Sequence, residues 1–162
     1  MRLQNKVAVI TGGSRGIGFA TADAFLREGA TVIIAASSKA SADKAVASLK
    51  EKYPEAVVEG ISPDLTSLAS VQEAFNEVLK NHGRIDILVN NAGVSESTPF
   101  TDYTEETFDK VMELNVKGVF NATRGIIDHI CLEVTGIEEL VEELKAKGIA
   151  METEAVGYSD KI

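Results

Sequence analysis

A single cysteine, Cys131, occurs in the 162 residues, so no intrachain disulfide can form. With no partner base recognisable near it, Cys131 reads as a small buried residue rather than a nucleophile. Basic residues are scarce. Sixteen Lys and Arg stand against 25 Asp and Glu, a net charge of −9, which argues against a phosphate-backbone partner such as nucleic acid. No apolar run approaches the ~20 residues of a membrane span, and the start, MRLQNK, lacks the apolar core of a signal peptide. The expected location is therefore the cytoplasm, with no membrane partner. There is no internal repeat and no low-complexity linker, and the length suits one domain over residues 1–162.

What is present begins with the stretch Thr11–Gly18, TGGSRGIG. It follows the apolar run Val7–Ile10 and opens a helical pattern through Phe19, Ala22 and Leu26, so it reads as strand, glycine-rich turn and helix N-terminus. Backbone N–H groups and the positive end of the helix dipole favour a pyrophosphate there, and glycines admit close approach. Gly12, Gly16 and Gly18 have the spacing G-x-x-x-G-x-G, distinct from the G-x-G-x-x-G of many dinucleotide sites.

Short apolar runs then alternate with amphipathic segments, which predicts βαβ units and a parallel sheet. Strands are expected at Lys6–Ile10, Thr31–Ala36, Ala56–Ile61 (the weakest) and Ile85–Val89, the last interrupted only by Asp86. Helices are expected from about Arg15 to Glu28, Ser41 to Lys52 and Ser67 to His82. The last carries Val71, Phe75, Val78 and Leu79 on one face and Gly83 just beyond. His82, in its final turn, suits the helix dipole. Thr104 caps a long helix whose stripe is Phe108, Val111, Met112, Asn115, Val116, Val119 and Phe120, with Asn115 the one polar member.

Four motifs occur in order: the glycine turn, Asp64-Leu65, Asn90-Asn91-Ala92-Gly93 and Asn115-Val116. On these, residues 1 to about 126 closely resemble the short-chain dehydrogenase/reductase family, whose N-terminal half reads T-G-x-x-x-G-x-G, D-L or D-V, N-N-A-G and N-V-x-G. The resemblance implies a Rossmann-like, doubly wound parallel α/β sheet of order 3-2-1-4-5, with room for a sixth strand, binding a nicotinamide dinucleotide across its strand ends. Gly12, Ser14, Arg15, Gly16, Ile17 and Gly18 would hold the pyrophosphate and adenosine ribose. Asp64, with Leu65 beside it, would accept from the adenine amine, although Asp64 read alone equally suits a helix cap. Asn91, Ala92 and Gly93 would line the adenosine side while Asn90 braces the fourth strand. Asn115 would hold a water in a proton relay; without the resemblance it reads equally as a satisfied core amide. NAD-users of the family carry an acid at the end of the second strand, where this chain has Ala36, Ser37, Ser38 and Lys39. That region leaves room for a 2′-phosphate that Arg15 and Lys39 would pair, so NADP is expected, with NAD the alternative. Helices at the position of Thr104 to Ile127 form the family's dimer interface, which implies a homo-oligomer.

The family's reaction moves a hydride to or from a ketone or secondary alcohol, using an upstream Ser and a Y-x-x-x-K pair. Neither is recognisable here. Tyr158 is followed by Lys161 three residues on and by Ile162 at the fourth; an i, i+3 pair can share a helix face, but no Ser stands at the expected place upstream. Residues 128–162 differ in character, with nine acids against three lysines. Within them Ile130–Val134 reads as a strand, Thr135 to Glu138 as a capping box opening a helix with Ile137, Leu140, Val141 and Leu144, and Ile149–Val156 as a further strand. DHICLEVTGIEELVEELKAKGI is similar to a strand-helix-strand piece of the vicinal-oxygen-chelate (glyoxalase and epimerase-like) family, in which a His at the position of His129 ligates a metal. A metal site needs several convergent ligands and one module supplies one, so no metal site is assigned. The expectation is a composite: a dehydrogenase-like part, 1–127, joined to an atypical segment, 128–162, as an oxidoreductase that looks truncated. The alternatives are a dinucleotide-binding module without turnover and a metal-dependent glyoxalase- or epimerase-like protein.

Overall fold

The structure is a computed structural model that describes residues 1–126. The chain divides after Asp128 into two units, and the described residues lie in the first, Met1–Asp128. The strands expected at Ile130–Val134 and Ile149–Val156, the helix between them, Cys131, His129, Tyr158 and Lys161 lie outside the described residues.

Four strands form one parallel sheet: β1 (Val7–Thr11), β2 (Thr31–Ala35), β3 (Val58–Ile61) and β4 (Ile87–Val89), in the order β3-β2-β1-β4. The expected order 3-2-1-4-5 holds for the strands described; the fifth and sixth fall outside them. The intervening helices are α1 (Gly16–Arg27), α2 (Lys39–Lys52) and α3 (Leu68–His82), with α4 (Glu105–Met112) and α5 (Gly118–Ile126) after β4.

Burial on both faces explains why β1 and β2 read as unbroken apolar runs rather than as an alternation. Ile10, Val32 and Ile34 face Ala22, Leu26, Ala45 and Leu49 of α1 and α2. Val7, Val9 and Ile33 face Val71, Phe75 and Val78 of α3 and Ala122 of α5. Gly125 lets α5 approach α3, since a Cβ there would lie 2.8 Å from Val71 Cγ1.

The helix ends follow local chemistry. Ser38, Ser67 and Thr104 accept from the backbone N–H three residues on, in α2, α3 and α4. Gly83 closes α3 at φ +76°.

Asp86, which breaks the apolar pattern of the fourth strand, ties that strand's start to β1. Its carboxylate accepts from Val7 N at 2.8 Å and from Arg84 Nε at 2.9 Å, while Asp86 N donates to Val7 O at 2.8 Å. Burial is the largest single influence and pushes the Asp86 pKa up, but the Arg84 and Val7 hydrogen bonds with the neighbouring cations outweigh it and hold it below the usual carboxylate value. A depressed folded pKa contributes stability above the unfolded value, which is lost as pH falls through the folded one. Asp86→Asn is expected to cost about 1–3 kcal/mol at neutral pH. Urea titrations at pH 7 and pH 3 should show the gap to wild type closing in acid; a pH-independent gap would contradict this role.

The long helix after β4 departs from its expected form. A π turn, Glu113–Lys117, separates α4 from α5, so the stripe resolves into two faces. Gly118, Asn121 and Ala122 are buried and Val111 and Asn115 partly so, whereas Phe108, Met112, Val116, Val119 and Phe120 are exposed on the described unit. The inner face is built from small and amide residues, a pattern that apolar periodicity does not reveal. Among the described residues, no helix is long and apolar enough to cross a membrane, and no group of three or more His, Cys, Asp and Glu is placed to hold a metal.

Candidate functional site

Strand order reverses between β1 and β4: β2 and β3 lie on one side of β1, β4 on the other. In open parallel sheets the crevice at such a switch, outside the C-terminal strand ends, is where ligands bind. Here it lies between Thr11 and Val89, and the glycine turn and the Asn90–Gly93 segment meet there.

Thr11, 2% exposed, is the knot. Its hydroxyl donates to Val89 O at 3.2 Å and accepts from Asn91 N and Ala92 N, both at 3.0 Å. In return Asn91 Nδ2 donates to Thr11 O at 3.0 Å and Gly12 O at 3.2 Å. The Asn91 side chain is thus committed to the glycine turn. Asn90 reaches α5 instead, where its Nδ2 donates to Thr123 Oγ1 at 3.2 Å.

The glycines have separate reasons. Gly12 is at φ +65°, and a Cβ there would lie 2.9 Å from Ala92 Cα. Gly18 needs space: its Cβ would fall 2.4 Å from Gly12 O and 2.5 Å from Asn91 Nδ2. Gly16 is at φ +57°, yet a Cβ there would meet nothing within 4 Å. Two glycines therefore close the turn on itself, and the third faces open space.

Helix α1 begins at that space. Unlike α2, α3 and α4 it has no side-chain cap: Arg15 at the N-cap makes no such hydrogen bond, and the first turn contains no acid. Its leading N–H groups are left for another acceptor. Ile17, in the first turn, is 79% exposed, with Arg15 exposed and Ser14 half-buried beside it. A second cleft, where Glu105, Glu106, Asp109 and Glu113 outnumber the one cation Lys110, is too acidic to suit a pyrophosphate.

At the end of β2, Ser37 is exposed, and Ser38 caps α2 by accepting from Ser41 N at 3.3 Å. Lys39, expected to meet a 2′-phosphate, pairs with Asp43 one turn along α2. An exposed i, i+4 pair of this kind is worth about 0.3–0.5 kcal/mol, so it opposes re-pairing with an anion only weakly. Arg15 has no side-chain partner among the described residues.

After β3, Asp64 does not cap α3, whose N-cap is Ser67. Its Oδ1 accepts from Thr66 Oγ1 at 2.7 Å and Thr66 N at 2.9 Å. Those two bonds, first the hydroxyl and then the amide, hold its pKa below the ordinary aspartate value, so it stays an anionic acceptor through neutral pH.

Asn115 sits in the π turn, a feature that recurs at functional sites. Its Oδ1 accepts from Val94 N and its Nδ2 donates to Val94 O, each at 2.8 Å, and a Cβ on Gly93 would lie 3.2 Å from Oδ1. The Asn115 side-chain amide is thus satisfied on both sides and clamps the segment after Gly93 to the helix.

Residues 6–152 match the short chain dehydrogenase family. The chain belongs to that family. The match runs through residue 152, over most of the segment read as foreign, and the relatives below lend no support to the vicinal-oxygen-chelate resemblance.

Among the short chain dehydrogenases, the chain is 47% identical over 124 residues to a 3α-hydroxysteroid dehydrogenase of Mediterraneibacter gnavus, covering 76% of this chain and 50% of that one. It is 37% identical over 139 residues to a 3-oxoacyl-[acyl-carrier-protein] reductase of Thermotoga maritima, covering 84% and 54%. Among solved structures, an NAD+-bound xylitol dehydrogenase superposes with a TM-score of 0.73 at 31% identity, over 78% of this chain and 48% of that one. The chain thus spans about half the length of the curated relatives it matches.

Reading the sequence missed Thr11 as a site residue, and also Val94 and Asn121. Thr11 carried a signal: it is the one polar residue ending an apolar strand immediately before a glycine turn. Asn121 carried one as well, a second amide in the helix six residues after Asn115.

Proposed function

We propose that this chain binds a nicotinamide dinucleotide at the β1–α1 turn and serves an NAD(P)-dependent oxidoreductase acting on a ketone or secondary alcohol. The observation that carries the reading is the uncapped N-terminus of α1 beside the open side of Gly16, in a turn that Thr11 and Asn91 hold fixed. The residues fit the group: free N–H donors and a dipole for the pyrophosphate, Arg15 for further negative charge, and an anionic Asp64 for a donor on the base. When bound, the coenzyme supplies the hydride-transfer chemistry. The chain's own residues bind and orient it. Ser14, Arg15, Gly16, Ile17 and Gly18 take the pyrophosphate and ribose side, Asp64 and Leu65 the base, and Ala92 and Gly93 the wall opposite, backed by Asn91 and Asn115.

The reading favours NADP. No carboxylate stands at Ala36, Ser37 or Ser38 to accept from ribose hydroxyls, and Arg15 with Lys39 offers charge to a 2′-phosphate.

A second reading, binding without turnover by this chain alone, draws on one observation. None of the three tyrosines, Tyr53, Tyr103 and Tyr158, is followed by lysine at the fourth position, so the usual means of lowering a tyrosine's pKa is not recognisable. Calorimetric titration with NADPH and NADH, followed by NADPH oxidation over a panel of ketones, separates the two: binding with turnover supports the first reading and binding without it the second.

Gly16→Val is the decisive variant. A Cβ there meets nothing within 4 Å, so the main cost to the fold is the left-handed backbone, about 1–3 kcal/mol. Dinucleotide affinity is expected to fall at least tenfold with the circular dichroism spectrum unchanged. Undiminished affinity would remove the turn from the binding site.

A further inference from the structure

Asn121 is one of the two polar residues buried among those described, at 2% exposure; the other is Thr11. It stands on α5, six residues beyond Asn115, and its Nδ2 donates to Leu65 O at 2.8 Å. Gly118, one turn earlier, faces the same residue, since a Cβ there would lie 3.5 Å from Leu65 Cβ. Leu65 itself packs against the core face formed by Val71, Phe75 and Ala122.

The segment after β3 is therefore fixed from three sides. Asp64 N donates to Ser70 Oγ of α3 at 3.0 Å, Thr66 holds Asp64 Oδ1 from within the loop, and α5 holds the Leu65 carbonyl through Asn121. With Oδ1 occupied twice over, Oδ2 has no hydrogen-bond partner among the described residues. Recognition of a donor on the base then depends on one oxygen, and the loop backbone decides where that oxygen lies. Hydrogen bonds to a carboxylate tolerate a donor–acceptor spread of only a few tenths of an ångström. A loop that relaxes by about 1 Å loses the contact while keeping its own turn.

We infer that Asn121 is a positioning residue for the adenine end of the dinucleotide site, setting the Asp64–Leu65 backbone so that the Asp64 carboxylate meets the exocyclic amine of the base. This rests on the proposed dinucleotide-binding function. It also gives α5 a task there: one helix turn carries the amide that orders the loop after β3, while the π turn before it carries the amide that orders the segment after β4.

The readout is base discrimination rather than affinity alone. Wild type, Asn121→Ala and the near-isosteric Asn121→Leu are titrated with NADPH and with the corresponding hypoxanthine dinucleotide, whose base has an oxygen in place of the amine. Wild type is expected to prefer the adenine form about tenfold, the worth of one charge-assisted hydrogen bond. The variants are expected to lose about that factor for the adenine form and little for the hypoxanthine form, bringing the ratio towards one. If Asn121→Ala fails to fold, Asn121→Leu, which leaves no cavity, provides the measurement. Equal losses for both dinucleotides, with the ratio preserved, would make Asn121 a merely structural residue and overturn the inference. A wild type that binds both forms equally would also overturn it while leaving the proposed function standing; one that binds neither would overturn both.

Discussion

Gly18→Ala is expected to abolish measurable dinucleotide binding and to destabilise the fold, although alanine is the better helix former. The propensity gain is about 1 kcal/mol. Against it stands a contact that has no room to relax: the new Cβ would lie 2.4 Å from Gly12 O, 2.9 Å from Gly12 C and 2.5 Å from Asn91 Nδ2. Two of those atoms are backbone, and the third belongs to the side chain holding the turn shut. Overpacking typically costs about 1–3 kcal/mol, and here relief requires α1 to move away from the turn or Asn91 to release Thr11 O and Gly12 O. Either movement misplaces the N–H groups at the start of α1. Urea unfolding and a calorimetric titration with NADPH test the two halves of the expectation. A variant as stable as wild type with unchanged affinity would show that the turn yields more readily than its packing indicates.

The second large effect is expected at Thr11. Thr11→Val keeps the shape and the β-branch but removes the oxygen that accepts from Asn91 N and Ala92 N and donates to Val89 O. Each partly buried amide left without an acceptor costs about 1–3 kcal/mol, so a loss of about 2–6 kcal/mol is expected for the pair. Thr11→Ser retains the hydroxyl, gives up one methyl, and is expected to recover most of the difference. The comparison is made by urea midpoint at constant m-value; equal losses for Val and Ser would locate the effect in packing rather than in the hydrogen bonds. Thr11 and Gly18 thus test one construction from its two ends, the hydroxyl that gathers the segment after β4 and the missing side chain that lets α1 close over it.

The Thr11 prediction turns on contacts between residues about eighty positions apart, and the Gly18 prediction on Asn91 as well as the nearby Gly12, which explains why they were hard to read in advance. The βαβ order, the apolar runs of β1 and β2, the helix of Val71, Phe75 and Val78, and the cap Thr104 are local properties, set by periodicity and hydrogen bonding within a few residues. All were legible. The four motifs were legible as well, and they led to the family before any geometry was known. The task of each side chain was less so. Asn91 was expected at the adenosine side, and Asn115 either at a relay water or as a satisfied core amide; both side-chain amides bond backbone, Asn91 at Thr11 and Gly12 and Asn115 at Val94. A motif records that an amide stands at a position; which groups it meets depends on where another strand end arrives.

The long helix shows the same division. Its apolar residues announced an amphipathic segment, but a π turn at Glu113–Lys117 divides it into an inner face of Gly118, Asn121 and Ala122 and an outer face of Phe108, Met112, Val116 and Phe120. Small residues line the inner face because α5 must come close to α3 and to the loop after β3, as Gly125 and Gly118 show.

By itself the sequence determined the layered α/β sheet, its family and the strand, glycine turn and helix start around Thr11–Gly18, because burial pattern and glycine spacing are written residue by residue. Only the tertiary structure decided that this turn is held by Thr11 and Asn91, that α1 alone among the first four helices keeps its N-terminus without a side-chain cap, and that Asn121 orders the loop bearing Asp64. These depend on the reversal of strand order between β1 and β4, which brings distant segments to one crevice, and no local pattern encodes which of their atoms will meet.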